Sequence, residues 1–282
     1  MSTQKPRRKA SGNASDEPRG RWRRASVARE PELDTSKPRH GPKSARERLR
    51  RTHHDVPLPI ARCRRVAHLT DLHVGWSSTD ELLLEAVAAV RDAEPDLVVL
   101  TGDYLNHSLS HLSRLGAIVR ELPGPRVAVL GNHDHWSGAS SIQAELERAG
   151  VIVLRNESVT VDGLLIVGVD DGRTRRSDVG RAFRGVAAPE SALVLTHFPP
   201  TAVSVRDSGG RIVLCGHTHA GHVGMPRLVA AAGKLSGNRW IHGWYDLDPT
   251  RLYVNAGLGH DRLRFGRSVT PEVAVFELLP SG

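Results

Sequence analysis

"RVAVLGNHD", residues Arg126–Asp134, holds two kinds of chain in nine residues. Val127, Ala128, Val129 and Leu130 form an unbroken apolar run, the composition of a strand buried on both faces. A glycine then turns the chain, and Asn132, His133 and Asp134 follow at once with side chains suited to metals and protons. The same succession recurs. "RVAHLT" (65–70), "DLVVLT" (96–101), "ALVLT" (192–196) and "RIVLC" (211–215) each run straight into Asp, His or Gly. "LLIVGV" (164–169), "RLYVNA" (251–256) and "EVAVFEL" (272–278) read as further strands. Between them lie helical patterns. Asp80–Asp92 sets Leu83, Ala86, Val87 and Val90 on one stripe behind Thr79, a residue type that caps helix N-termini. Residues 110–121 and 139–149 are similar, the second stopping at Gly150. Strands alternating with helices predict an α/β fold, in which ligands gather where strands end and loops begin.

Charge divides the chain unevenly. Residues 1–55 carry 16 Lys/Arg against 7 Asp/Glu, leaving 23 basic and 24 acidic side chains in the other 227 residues. The high isoelectric point therefore belongs to the N-terminal stretch and not to the body. That stretch is rich in Arg, Pro, Ser and Gly and poor in large apolar residues, so it is expected to be disordered, with a folded domain over 56–282 and "HHDVPLP" (53–59) as linker. Its net charge of +9 suits an anionic membrane surface. Nucleic acid is the less favoured partner, because the near-neutral body offers phosphates no attraction. No apolar stretch follows Arg23-Arg24 as an export signal requires, and no window reaches a membrane span, so the expected location is cytoplasmic or peripheral at the membrane. The two cysteines, Cys63 and Cys215, have neither framework nor zinc-thiolate spacing.

Collected from the strand ends, the polar residues make a set: Asp71 and His73, Asp103, Asn132 to Asp134, His197, and His217 with His219. Singly, each has an ordinary explanation as a turn former, cap or loop histidine. Five separate loops delivering such residues at strand termini point instead to one centre. Asp, Asn and His without Cys is the donor set of a borderline-to-hard divalent ion such as Mn, Fe or Zn. Such a set exceeds the needs of one ion and suits two that share a carboxylate, an arrangement suited to phosphoryl displacement.

The order DxH, GD, GNHD, H, GHxH resembles the calcineurin-like metallophosphoesterase superfamily, from about Val66 to the C-terminus. The resemblance implies a two-sheet β-sandwich flanked by helices. It implies two divalent metal ions, with Asp71, His73 and His219 on one, Asn132, His197 and His217 on the other, and Asp103 bridging. It makes His133 the residue that faces the ester and protonates the leaving oxygen, Asp134 its orienting partner, and a metal-bridging hydroxide the nucleophile. "GHTHAGHVGMP" and the C-terminal segment resemble a bacterial branch of phosphodiesterases and UDP-diacylglucosamine pyrophosphohydrolases, although Ala220 and His222 stand where that branch usually has Gly and Gln. Phosphodiesters or pyrophosphates, lipid-linked or nucleotide, are the expected substrates. A phosphomonoesterase or protein phosphatase is the alternative within the enzyme class, and a non-catalytic binding scaffold the alternative outside it. His222, His107 and Arg264 are weaker candidates for substrate contact, and His135 and Asp170-Asp171 flank the motifs.

Overall fold

The computed structural model describes residues 49–221, 240–259 and 270–281. Among them run twelve strands: β1 (Arg50–Leu58), β2 (Arg64–Leu69), β3 (Leu97–Thr101), β4 (Arg126–Val129), β5 (Val151–Val153), β6 (Glu157–Val161), β7 (Leu164–Gly168), β8 (Leu193–Leu195), β9 (Ile212–Cys215), β10 (Gly243–Asp246), β11 (Arg251–Val254) and β12 (Glu272–Pro280). The α-helices are α1 (Asp80–Asp92), α2 (Leu112–Arg120), α3 (Asn132–Ser137), α4 (Ala139–Arg148), α5 (Val179–Ala182) and α6 (Thr201–Asp207). Two six-stranded sheets result, in the orders β1-β12-β2-β3-β4-β5 and β10-β11-β9-β8-β7-β6.

Both sheets are mixed. The parallel run β2-β3-β4-β5 sits in one and β7-β8-β9-β11 in the other, with antiparallel β12-β2, β6-β7 and β10-β11 pairs beside them. Alternation along each strand explains the layers. Val66, Val99, Val127 and Phe276 of the first sheet meet Ile166, Leu195, Leu214 and Tyr253 of the second between the sheets. Their neighbours Ala67, Val98, Leu100 and Ala128 turn outward under Leu83, Val87, Leu115 and Leu146 of α1, α2 and α4. On the far side Val167, Val194 and Val213 pack with Ala182, Ala202 and Val205 of α5 and α6. A fully buried Val, Leu or Ile contributes about 1.5–3 kcal/mol. Strands apolar on both faces are therefore stable only when sandwiched in this way. The α/β reading and the two-sheet sandwich flanked by helices both describe this architecture.

The helices form where the periodicity places them. Thr79 caps α1, its side chain accepting from the Leu82 amide at 3.2 Å. Helix α4 ends at Arg148, and Gly150 takes a left-handed φ of +80° beyond it.

One boundary differs. Of the stretch read as a linker, 53–59, all but Pro59 belongs to β1, which pairs in parallel with β12 from Arg50 to Leu58. Its inward positions are Arg50, Thr52, His54, Val56 and Leu58, three of them polar before any apolar residue appears. The period of two is present, but polar side chains fill its inner face, so composition conceals the strand. His54 packs against Tyr253, Phe276 and Trp244 with ring centroids at 4.8, 5.2 and 5.8 Å. Of the tail expected over residues 1–55, residues 1–48 lie outside the described residues. No helix among the described residues is long and apolar enough to cross a membrane.

Candidate metal centre

The loops leaving the C-terminal ends of β2, β3, β4, β8 and β9 meet above the sandwich. They carry Asp71 and His73, Asp103, Asn132 and His133, His197, and His217 with His219 respectively. Five of these residues have left-handed backbone: Asp71 (φ 52°), His73 (43°), Asp103 (56°), His217 (76°) and His219 (47°). Such conformations cost about 1–3 kcal/mol each in non-glycine residues, and they persist where the surrounding structure imposes them. Here close backbone packing imposes them. A Cβ on Gly131 would overlap Asp103 Oδ1, and one on Gly216 would overlap Asp71 Oδ2, so both carboxylates sit against bare backbone.

Two clusters emerge. Asp71, His73 and His219 converge within 4.8 Å, as do Asp103, His197 and His217. In the first, His219 Nε2 lies 3.3 Å from Asp71 Oδ1 and 3.3 Å from His73 Nε2. In the second, His197 Nε2 lies 3.1 Å from His217 Nδ1 and 3.2 Å from Asp103 Oδ2. Asp103 Oδ2 also comes within 3.8 Å of His73 Nε2, which places this one oxygen between the clusters. The ring tautomers are set from behind: His197 Nδ1 lies 2.8 Å from the Thr101 carbonyl and His219 Nδ1 2.9 Å from the Gly259 carbonyl. A carbonyl only accepts, so each Nδ1 carries a hydrogen, and Nε2 is the nitrogen each ring turns toward its cluster.

These donors fit divalent ions. Asp71 Oδ1 and Asn132 Oδ1 are buried and have no hydrogen-bond partner among the described residues. A buried acceptor left this way costs about 1–3 kcal/mol, a penalty that coordination removes. The set is oxygen and imidazole with no thiolate; Cys215 is buried and Cys63 exposed elsewhere.

The electrostatics are those of buried groups in close company. Burial, and then the neighbouring His219, hold His73 well below the usual imidazole range. Burial and His197 bring His217 down to about 3. Burial opposes charge on His197 too, but the Asp103 carboxylate wins and raises it to about 10. Burial likewise opposes charge on Asp103, yet His197 and then His73 keep its carboxyl far below the ordinary value.

His133 lies beside the clusters, its ring 5.0 Å from that of His73, 4.6 Å from that of His107 and 5.1 Å from that of Trp136. His107 and Trp136 are exposed, so the mouth opens on this side. The orienting contact expected from Asp134 takes a different form. Its carboxylate accepts the backbone amides of Asp103, Tyr104 and Gly131 at 2.8, 2.9 and 2.8 Å, tying the β3 loop to the β4 loop. The Asn106 carbonyl, 2.8 Å from His133 Nδ1, is what fixes the ring. His222 and Arg264 lie outside the described residues.

Sequence reasoning missed two supports. Asn106 is one. The other is the loop after β11, where the amides of Leu258 and Gly259 bond the carbonyls of Thr70 and Asp71 at 3.2 and 2.7 Å. Glu272, fully buried, anchors that loop through the Ala256 amide at 3.0 Å. It also accepts from Tyr253 (2.6 Å), Thr52 (2.9 Å) and Arg50 (3.1 Å) and lies 3.0 Å from His242 Nε2. A charged residue opening an apolar strand gives no sign in sequence of so many partners.

Glu272 carries a prediction. Burial alone raises its pKa, but hydrogen bonds from His242, Tyr253 and the Ala256 amide, with the charge of Arg50, drive it far below its reference value of 4.5. The stability it supplies is therefore complete above pH 4.5 and fades as the pH falls below that. Glu272→Gln is expected to lose roughly 3 kcal/mol at pH 7, as when one member of a buried ion pair is removed. Its denaturation midpoint should also depend less on pH between 4.5 and 3 than the wild type's, as urea unfolding at stepped pH will show.

Comparison with known proteins identifies a family. The calcineurin-like phosphoesterase family profile matches residues 64–221, the span from β2 through His219. The uncharacterized metallophosphoesterase YkuE of Bacillus subtilis is 28% identical over 224 residues, covering 76% of this chain and 78% of its own. The phosphodiesterase YaeI of Escherichia coli is 26% identical over 228 residues, covering 76% and 82%. Among solved structures, TT1561 of Thermus thermophilus aligns with a TM-score of 0.49 at 14% identity, over 69% of this chain and 90% of that one. With its histidine and carboxylate clusters gathered at the strand ends, the chain belongs to the calcineurin-like phosphoesterase family and is a metal-dependent phosphoester hydrolase.

Proposed function

We propose that the chain cleaves phosphodiesters or pyrophosphates at two divalent cations, Mn, Fe or Zn. In this reading Asp71, His73 and His219 hold one ion, and Asn132, His197 and His217 the other. Asp103 touches both. The observation that carries it is the place of Asp103 Oδ2, 3.2 Å from His197 Nε2 and 3.8 Å from His73 Nε2, one ligand atom shared by two clusters. Bound there, divalent ions neutralise phosphoryl charge and make water nucleophilic at neutral pH.

The chain's own residues do the rest. Asp103 Oδ1 accepts the His133 amide at 2.9 Å, so the shared carboxylate also places the acid. With Nδ1 committed to the Asn106 carbonyl, His133 keeps Nε2 as the atom that carries a proton to the leaving oxygen. Asp134 holds the β3 and β4 loops in register, which keeps Asp103 and Asn132 at fixed separation. Phosphodiesterase activity in YaeI supports diesters over monoesters. The positive charge of residues 1–55 supports an anionic membrane surface as a partner.

Chelator-stripped protein is expected to be inactive on bis(p-nitrophenyl) phosphate and to recover with Mn²⁺. Asn132→Ala and His217→Ala should each lose at least about 100-fold in kcat, the upper end of what even an outer-shell partner costs. A stripped protein that keeps its full rate sinks the proposal.

A further inference from the structure

A second group of cations stands next to α3, outside the metal clusters. An open cavity of about 230 Å³ is lined by His135, Ala139, Ser140, Ser141, Arg155 and Arg176 among others. His135, which lines the cavity, is on the same short helix as Asn132 and His133 of the proposed centre. Asp170 sits behind it, 3% exposed, with its charge already answered. His135 Nε2 lies 2.6 Å away, Arg155 Nε 3.1 Å, and the Asp171 amide 2.8 Å. Arg155 thus spends only Nε on Asp170, and its terminal nitrogens have no partner among the described residues. Arg176 is exposed, and its guanidinium makes no hydrogen bond or ion pair among the described residues. Two guanidiniums therefore line the cavity, and the Asp170 carboxylate engages only the Nε of one of them.

The cavity also holds the start of the ten-residue helix α4. Gly138 precedes it with no side chain to cap it. The amides of Ser141 and Ile142 bond the Gly138 carbonyl, while those of Ala139 and Ser140 find no acceptor among the described residues. The hydroxyls of Ser140 and Ser141 stand beside them. Guanidiniums, free amides and hydroxyls around one cavity match the oxygens of a phosphate group.

We infer that this cavity is an anion subsite that takes a phosphate group other than the one being cleaved. The inference rests on the proposed hydrolase reading, and it narrows the substrate class to esters carrying a second phosphate. The same chemistry accepts free inorganic phosphate, so the test separates the two sources.

Two variants leave the fold intact. Arg176→Ala removes a side chain without protein partners. Ser140→Asp puts a carboxylate in the first turn of α4, which favours the helix but fills the site with negative charge. With Mn²⁺-loaded protein, both are expected to raise KM for symmetrical diphenyl pyrophosphate about tenfold, the worth of one lost charge-assisted hydrogen bond. KM and kcat for bis(p-nitrophenyl) phosphate should stay unchanged. In a parallel arm, inorganic phosphate is titrated calorimetrically into chelator-treated wild type and both variants. Weakened phosphate binding with an unaltered pyrophosphate KM assigns the site to free phosphate; the two effects together assign it to the substrate. If neither variant changes either measurement, the subsite does not exist. Inactivity of the wild type on bis(p-nitrophenyl) phosphate is a separate result, which removes the hydrolase reading and leaves the phosphate titration to judge the subsite.

Discussion

Asp103→Asn is expected to cut kcat on bis(p-nitrophenyl) phosphate by about 10³-fold, beyond the 10–100-fold typical of outer-shell partners of ligands. Metal content should fall with it, from two ions per chain to one or fewer. Asparagine keeps the shape and one oxygen, so the Asp103 to His133 amide bond at 2.9 Å can survive. What it loses is the charge on an oxygen 3.2 Å from His197 and 3.8 Å from His73, which both clusters use. Neutralising one shared carboxylate weakens two sites at once, whereas His217→Ala touches a single cluster. Metal analysis beside kcat makes the test. If the variant binds two ions per chain with unchanged affinity, Asp103 is not shared.

His133→Ala is expected to separate leaving groups. With an alkyl leaving oxygen, whose departure needs a proton, kcat should fall about 10²–10⁴-fold, the usual contribution of a positioned acid. With p-nitrophenolate, which leaves as a stable anion, the loss should be much smaller, and metal content should be unchanged. The geometry motivates the contrast. His133 is 5% exposed, its ring 5.0 Å from that of His73, and its Nδ1 is held by the Asn106 carbonyl. A ring so held offers one nitrogen and one direction for the proton. Equal losses on both substrates will mean that His133 serves charge stabilisation alone.

Much of this is legible in the chain alone. The apolar runs of β2, β3, β4, β8 and β9 announce strands because Val, Leu and Ile fill both faces, and each run ends at a polar loop. Those endings name the donors. Asp71, His73, Asp103, Asn132, His197, His217 and His219 are conspicuous because nothing about packing calls for them. The elements that escaped are short or polar. β5 has three residues, β6 alternates polar with apolar, and β1 lines its inner face with Arg50, Thr52 and His54.

By itself, then, the sequence determined the alternation of strand and helix and the chemical identity of the donors, since both are local properties of residue type and spacing. Only the tertiary structure decided which of these side chains gather into each cluster. It also made the Asn106 carbonyl, not Asp134, the support of His133, and it buried Glu272 beneath the loop that carries Gly259. Those outcomes depend on strands far apart in the chain closing into two sheets. A backbone carbonyl or amide has no signature in a sequence until folding aims it.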